Sequence, residues 1–274
     1  MPRDKQKKIA VINDFSGFGR CSIAVALPII SALKIQCCPL PTAIFSNHTG
    51  FDSFFFTDYT RHMNAYMDEW KKLDLRFDGI LTGFLSSVEQ IDHIKRFFDL
   101  FYDEKTIAVV DPVMGDSGKL YATYTIELAK SLSSLLPLAD VITPNLTEAC
   151  VLADVDYRPD VGDDELLKLC EKLSAYGPKK IVVTGLERGD VLSNYVFERD
   201  SPPVIVNEPR IGVCRSGTGD VFSAIIAADA VNGKDFAESV RRASSFIAKA
   251  MRRTMEKDVA PQSGVCFEEI LLEL

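Results

Sequence analysis

The sequence is short of positive charge. Its 31 Lys and Arg face 39 Asp and Glu, a net charge of −8. A protein that grips nucleic acid through its phosphates carries the opposite balance, so that class is set aside. Also missing is any uninterrupted apolar run long enough to span a membrane. No apolar segment follows the basic stretch at 3–8, which therefore reads as a solvated tail rather than a targeting signal. Cys-x-x-Cys spacing is absent too. The seven cysteines, with Cys37 and Cys38 adjacent in an apolar stretch, suit reduced thiols of a cytoplasmic protein. No linker, repeat or low-complexity segment interrupts the chain, so residues 1–274 read as one domain.

What is present is an alternation. Apolar runs that end in polar or glycine-bearing loops lie at 8–12, 77–84, 106–110, 140–143 and 180–185, and each reads as a buried strand. Helical patterns occupy 21–33 (with Pro28 straining its middle), 58–73, 87–102, 125–136, 163–176 and 235–255, and a short one closes the chain at 267–272. Residues 191–198 and 203–207 read as a hairpin. Strands that alternate with helices argue for an α/β fold with a mainly parallel sheet covered on both faces.

The stretch that carries most chemistry is Arg215-Ser216-Gly217-Thr218-Gly219-Asp220, leading into an apolar helical segment. Two glycines allow a tight turn and close approach to a ligand. The free amides at the helix start make an anion site around Gly217, Thr218 and Gly219. A carboxylate at Asp220 stands where it could take a proton from a hydroxyl. The plainer alternative is an ordinary turn with Asp220 as helix cap.

Three other loops stand out. Asp111-Pro112-Val113-Met114-Gly115-Asp116 places two carboxylates at the end of a buried strand, where open parallel sheets bind ligands. Ser46-Asn47-His48-Thr49-Gly50 strings hydrogen-bonding side chains after an apolar stretch, although a lone His such as His48 is often structural. Ser16-Gly17-Phe18-Gly19 looks at first like a dinucleotide fingerprint, but the third glycine is missing.

Together with Thr143-Pro144-Asn145-Leu146-Thr147-Glu148, these motifs resemble those of the pyridoxal (vitamin B6) kinases of the ribokinase-like superfamily, over nearly the whole chain. The resemblance implies a three-layer sandwich, a central mostly parallel sheet with helices on both faces, in a homodimer. It implies ATP and a B6 vitamer as substrates, with Asp220 as base for the 5′-hydroxymethyl group and the amides of Gly217, Thr218 and Gly219 as anion hole. Substrate contacts then fall on Ser16, His48, Thr49 and Phe84. Nucleotide contacts fall on Asp111, Asp116, Asn145, Glu148 and Thr184, with Gly217 and Gly219. Mg²⁺ is expected near Asp111 and Glu148, partly through waters. Residues 115–121 match the family's mobile loop over the phosphates.

Two departures touch the acceptor side. Phe84 stands where many pyridoxal kinases carry Tyr, which removes one hydroxyl but keeps a ring. The loop at 16–20 is shorter and richer in glycine. Two other functions stay open at this point: a kinase for the hydroxymethylpyrimidine of thiamine synthesis, and a non-catalytic B6-vitamer carrier.

Overall fold

The computed structural model describes residues 5–274. Its centre is a nine-stranded sheet in which six neighbouring strands run parallel. These are β1 (Lys8–Ser16), β2 (Gln36–Phe45), β4 (Gly79–Thr82), β5 (Ile107–Val110), β8 (Val141–Ile142) and β9 (Lys180–Arg188). One edge is β3 (Phe56–Asp58), antiparallel to β2. At the other, β10 (Val191–Glu198) and β11 (Val204–Pro209) form the expected antiparallel hairpin. The spatial order is β11-β10-β9-β8-β5-β4-β1-β2-β3.

Alternation along the strands builds two cores. Ala10 and Ile12 face the side covered by α2 (Thr60–Lys72), α3 (Val88–Phe101), α4 (Ile126–Ser131), α5 (Leu146–Ala153) and α6 (Asp163–Ser174). Ile9 and Val11 face the side covered by α1 (Ile23–Ala32), α7 (Thr218–Val231) and α8 (Phe236–Glu256). Central strands buried on both faces must be apolar throughout, as these are. Helix α7 is buried on nearly every side because the sheet, α1 and α8 enclose it. Its buried Asp229 is matched by Arg242 at 2.7 Å.

Several boundaries differ from those read in the sequence. The helix expected from Asp58 begins at Thr60, because Asp58 belongs to β3 and its carboxylate accepts the Thr60 amide at 2.7 Å. Helix α1 runs through Pro28, which removes one backbone donor without ending it. The helix expected over 125–136 is α-helical only to Ser131 and continues as a 3₁₀ turn over Leu132–Leu138, where Pro137 cannot donate. The closing helix is 3₁₀ as well, Glu268–Glu273. The start of the basic stretch at 3–8 lies outside the described residues. Its other end is no free tail: Lys8 opens β1, and Lys7 donates its ammonium to Val231 O at 2.8 Å.

Candidate active site

A cavity of ≈ 900 Å³ follows the carboxyl ends of the parallel strands from β2 to β9. Every site residue expected from the sequence lines it: Ser16, His48, Thr49, Phe84, Asp111, Asp116, Asn145, Glu148, Thr184, Gly217, Thr218, Gly219 and Asp220. The sheet order sorts them. His48 and Thr49 follow β2, Ser16 ends β1, and Phe84 follows β4, so these four share one end. Asp111 follows β5 at the middle. At the other end Asn145, the N-cap of α5 just beyond β8, meets Thr184 of β9 in an isolated bridge.

The start of α7 meets the middle. Gly217 is its N-cap, with φ 83, a left-handed conformation that costs glycine little. A Cβ on Gly217 would sit 1.9 Å from Arg20 O, so no other residue fits. Gly219 differs from expectation. It lies inside the helix, where a Cβ would meet nothing within 4 Å, so the turn does not require it. What its bare backbone provides is open access from the cavity. Val221 is the first residue of the helix whose amide finds a helical acceptor, Gly217 O at 2.9 Å. The amides of Thr218 and Gly219 ahead of it have none and carry the positive end of the helix dipole.

Asp220 is in the first turn and is not the cap. Burial pushes its carboxyl up to about 7, against a lowering by hydrogen bonds from the Ser22 backbone and Asn13. Asp111 is also raised to about 7, by burial first and then by the charge of Asp220. Burial and the nearby Asp111 raise Glu148 well above the usual carboxylate value. Among the described residues, none of these three carboxylates pairs with a Lys or Arg.

Glu148 has a second task. Its Oε2 accepts the Asn145 amide at 2.8 Å while Asn145 Oδ1 accepts the Glu148 amide at 3.0 Å, a capping box for α5. Its Oε1 accepts the Met114 amide at 3.1 Å, and Asn145 Nδ2 donates to Gly115 O at 2.7 Å. The two residues thus anchor the loop that carries Asp116 through β6 (Gly115–Asp116) and β7 (Lys119–Leu120).

His48 lines the cavity but spends both nitrogens on backbone. The Gly50 amide donates to Nδ1 at 3.0 Å, which leaves the proton on Nε2 facing Gln262 O at 2.8 Å. Phe84 serves two purposes. It is 9% exposed in the core, edge-on to Phe45 and Tyr124, and also forms cavity wall. Its backbone is held at both ends, the amide by Asn13 Oδ1 and the carbonyl by Thr42 Oγ1, each at 2.8 Å.

Two residues that the sequence reading passed over complete the end that holds Ser16, His48, Thr49 and Phe84. Asn13 Nδ2 donates to Asp220 Oδ1 at 3.2 Å. Asp14, 5% exposed, accepts the hydroxyls of Ser16 at 2.8 Å and Ser22 at 2.5 Å. The one local signal was a polar pair closing an apolar strand.

Comparison with known proteins decides the family. A family model described as phosphomethylpyrimidine kinase matches residues 27–263. The chain belongs to that family. A crystal structure of a Bacteroides thetaiotaomicron protein, provisionally named a phosphomethylpyrimidine kinase and crystallised with pyridoxal, superposes with a TM-score of 0.95 at 37% identity. That match covers 98% of this chain and 96% of that one. The pyridoxal kinase of Leifsonia xyli is 26% identical over 91% of this chain and 90% of its own length. A Staphylococcus aureus hydroxymethylpyrimidine/phosphomethylpyrimidine kinase is 28% identical over 72% of this chain and 73% of its own. This phosphomethylpyrimidine kinase family member is therefore a ribokinase-like kinase of the group that acts in vitamin B6 and thiamine metabolism.

Proposed function

We propose that the protein transfers the γ-phosphoryl group of ATP to the 5′-hydroxymethyl oxygen of a vitamin B6 vitamer. The observation that carries the reaction is Asp220, with its raised carboxyl, on the same helical turn as the unpaired amides of Thr218 and Gly219. The carboxylate takes the hydroxyl proton as the oxygen attacks phosphorus, and the bond to the ADP oxygen breaks. Charge on the transferring group is met by the amides and the helix dipole. Such a loose transition state needs positioning and positive field more than covalent help. The choice of a vitamer is supported by the related Bacteroides protein crystallised with pyridoxal.

Mg²⁺ fits the residues present. Among the described residues no three ligating side chains converge, yet Asp111 and Glu148 are buried carboxylates without a cationic partner. Two carboxylates plus phosphates and water are what Mg²⁺ takes in nucleotide sites. When bound, it neutralises phosphate charge. Asp111 and Glu148 would hold it, and Asn145, Thr184 and Asp116, which line the same cavity, would face the nucleotide.

A second copy of the chain belongs to this reading. Phe54, Phe55 and Phe56 are all more than 40% exposed at the β3 edge, and a homodimer would cover them. The free state of all seven cysteines supports a cytoplasmic setting. Among the described residues no helix is long and apolar enough to cross a membrane.

The Staphylococcus relative and the family model favour one other reading, a hydroxymethylpyrimidine kinase. The test is ADP release with Mg·ATP and pyridoxal, pyridoxine, pyridoxamine or hydroxymethylpyrimidine offered separately. Turnover of a B6 vitamer is expected. Activity on the pyrimidine alone would move the protein to thiamine synthesis. Silence on all four, with binding retained, would make it a carrier.

A further inference from the structure

We propose that Arg215 supplies a fixed positive charge to the polyphosphate of the nucleotide, beside the amides at the start of α7. The inference rests on the kinase reading given above and adds a residue to its phosphate site.

Arg215 is 7% exposed, and among the described residues no other Lys or Arg is buried. A guanidinium stays charged in any protein environment, so burial does not neutralise it. Its partners are neutral. Nη1 donates to Val259 O at 2.7 Å, and Nη2 donates weakly to Met255 Sδ at 3.7 Å. The Nε–H is buried with no partner at all. Among the described residues no Asp or Glu pairs with this side chain. A buried charge in that condition costs stability until an opposite charge arrives.

The cavity is where the opposite charge can come from. Its lining holds two arginines, Arg210 and Arg215, and Arg210 is already paired with Glu187 at 3.1 Å. Arg215 stands just before Ser216 and the N-cap Gly217, and its carbonyl accepts the Thr218 hydroxyl at 3.2 Å. The residue is thereby tied to the first turn of α7. The unpaired amides of Thr218 and Gly219 and the charge of Arg215 favour the same class of ligand, an anion.

The magnitudes explain why a helix start alone is not enough. The same lining carries the carboxylates of Asp111, Asp116, Glu148 and Asp220. A helix dipole is equivalent to about half a positive charge, whereas a nucleotide polyphosphate brings several negative ones. A guanidinium adds a whole charge and a planar fork that matches phosphate oxygens. A residue that served only to fasten the turn to Val259 would need no charge.

The experiment uses the whole chain and Arg215→Met, which keeps an unbranched side chain and removes the charge. Melting is followed without ligand. Calorimetry at one fixed Mg²⁺ concentration then measures ADP, inorganic tripolyphosphate and adenosine, and turnover with Mg·ATP is followed in parallel. The variant should melt no lower than the wild type, because an uncompensated buried charge has been removed. It should bind ADP and tripolyphosphate about tenfold to a hundredfold more weakly, the range of a hydrogen bond to a charged group. Adenosine should bind both proteins alike, and Arg215→Lys should recover part of the lost ADP affinity. If Arg215→Met does not fold, Arg215→Lys against Arg215→Gln reads the same contrast. Unchanged ADP affinity in the uncharged variant overturns the inference, as does a lower melting temperature with ADP and adenosine weakened equally. The expected contrast without turnover of any acceptor sinks the kinase reading and leaves the inference standing. A wild type that binds neither ADP nor tripolyphosphate overturns both.

Discussion

Asn13 and Asp220, 207 residues apart in the chain, are joined by a 3.2 Å hydrogen bond from the amide nitrogen of one to the carboxylate of the other. The same Asn13 side chain holds the backbone amides of Asp14 and Phe84. Room for it comes from Gly83, where a Cβ would lie 2.4 Å from Asn13 Nδ2. One side chain therefore ties the proposed base to the wall proposed to receive the acceptor.

The first prediction concerns pH. A base works ionised, so activity limited by Asp220 should fall as pH drops through its raised value, about 7 in the free protein. The Asn13 donor favours the ionised form and lowers that value. Asn13→Ala should move the acid limb of the kcat/KM profile to higher pH. In an Asp220→Asn background the same change should add little. An unmoved limb would separate Asn13 from the base.

Asp220→Asn keeps the shape of the site and removes the proton acceptor. Turnover should fall by about two to four decades, the usual scale for a general base. ATP affinity, followed by calorimetry, should stay within about threefold because the nucleotide end is untouched. Near-normal turnover would end the assignment.

The two glycines at the start of α7 should respond differently. Gly217→Ala combines a positive φ with a collision against Arg20 O and should lose both stability and activity. Gly219→Ala meets no protein atom and places a methyl group in the approach to the amides. Its melting temperature should match the wild type while kcat falls. Equal melting losses in both would mean that the second glycine is structural.

The ion pair under α7 gives a stability test away from the site. Asp229 is buried and Arg242 about one-third exposed. Arg242→Ala should cost about 2 kcal/mol in urea unfolding, below the range for a fully buried pair because part of the arginine is already hydrated.

Much of this was readable along the chain because it is local. The segment 215–220 shows its turn, its helix start and its carboxylate within six residues. The two-sided burial of β1 and β5 shows as unbroken apolar runs. Asn13 and Asp14 did not stand out, because their roles depend on partners brought in by the sheet and by α7. β3 has three residues, too few for an alternation to register. Gly219 looked like half of a turn because sequence alone does not separate a glycine needed for its φ from one needed for its emptiness.

The short turn Pro261–Ser263 reaches the acceptor end from the far end of the chain. Gln262 O faces His48, Ser263 O accepts from Arg20 at 2.9 Å, and a Cβ on Gly264 would strike Gly19 O at 2.3 Å. Both loops are thus fastened by a segment that follows every strand of the sheet in the chain. A chain that has formed every strand of the sheet still lacks these fastenings until residues 261–264 are in place. Truncation before Pro261 should therefore spare the nucleotide end while loosening the acceptor end.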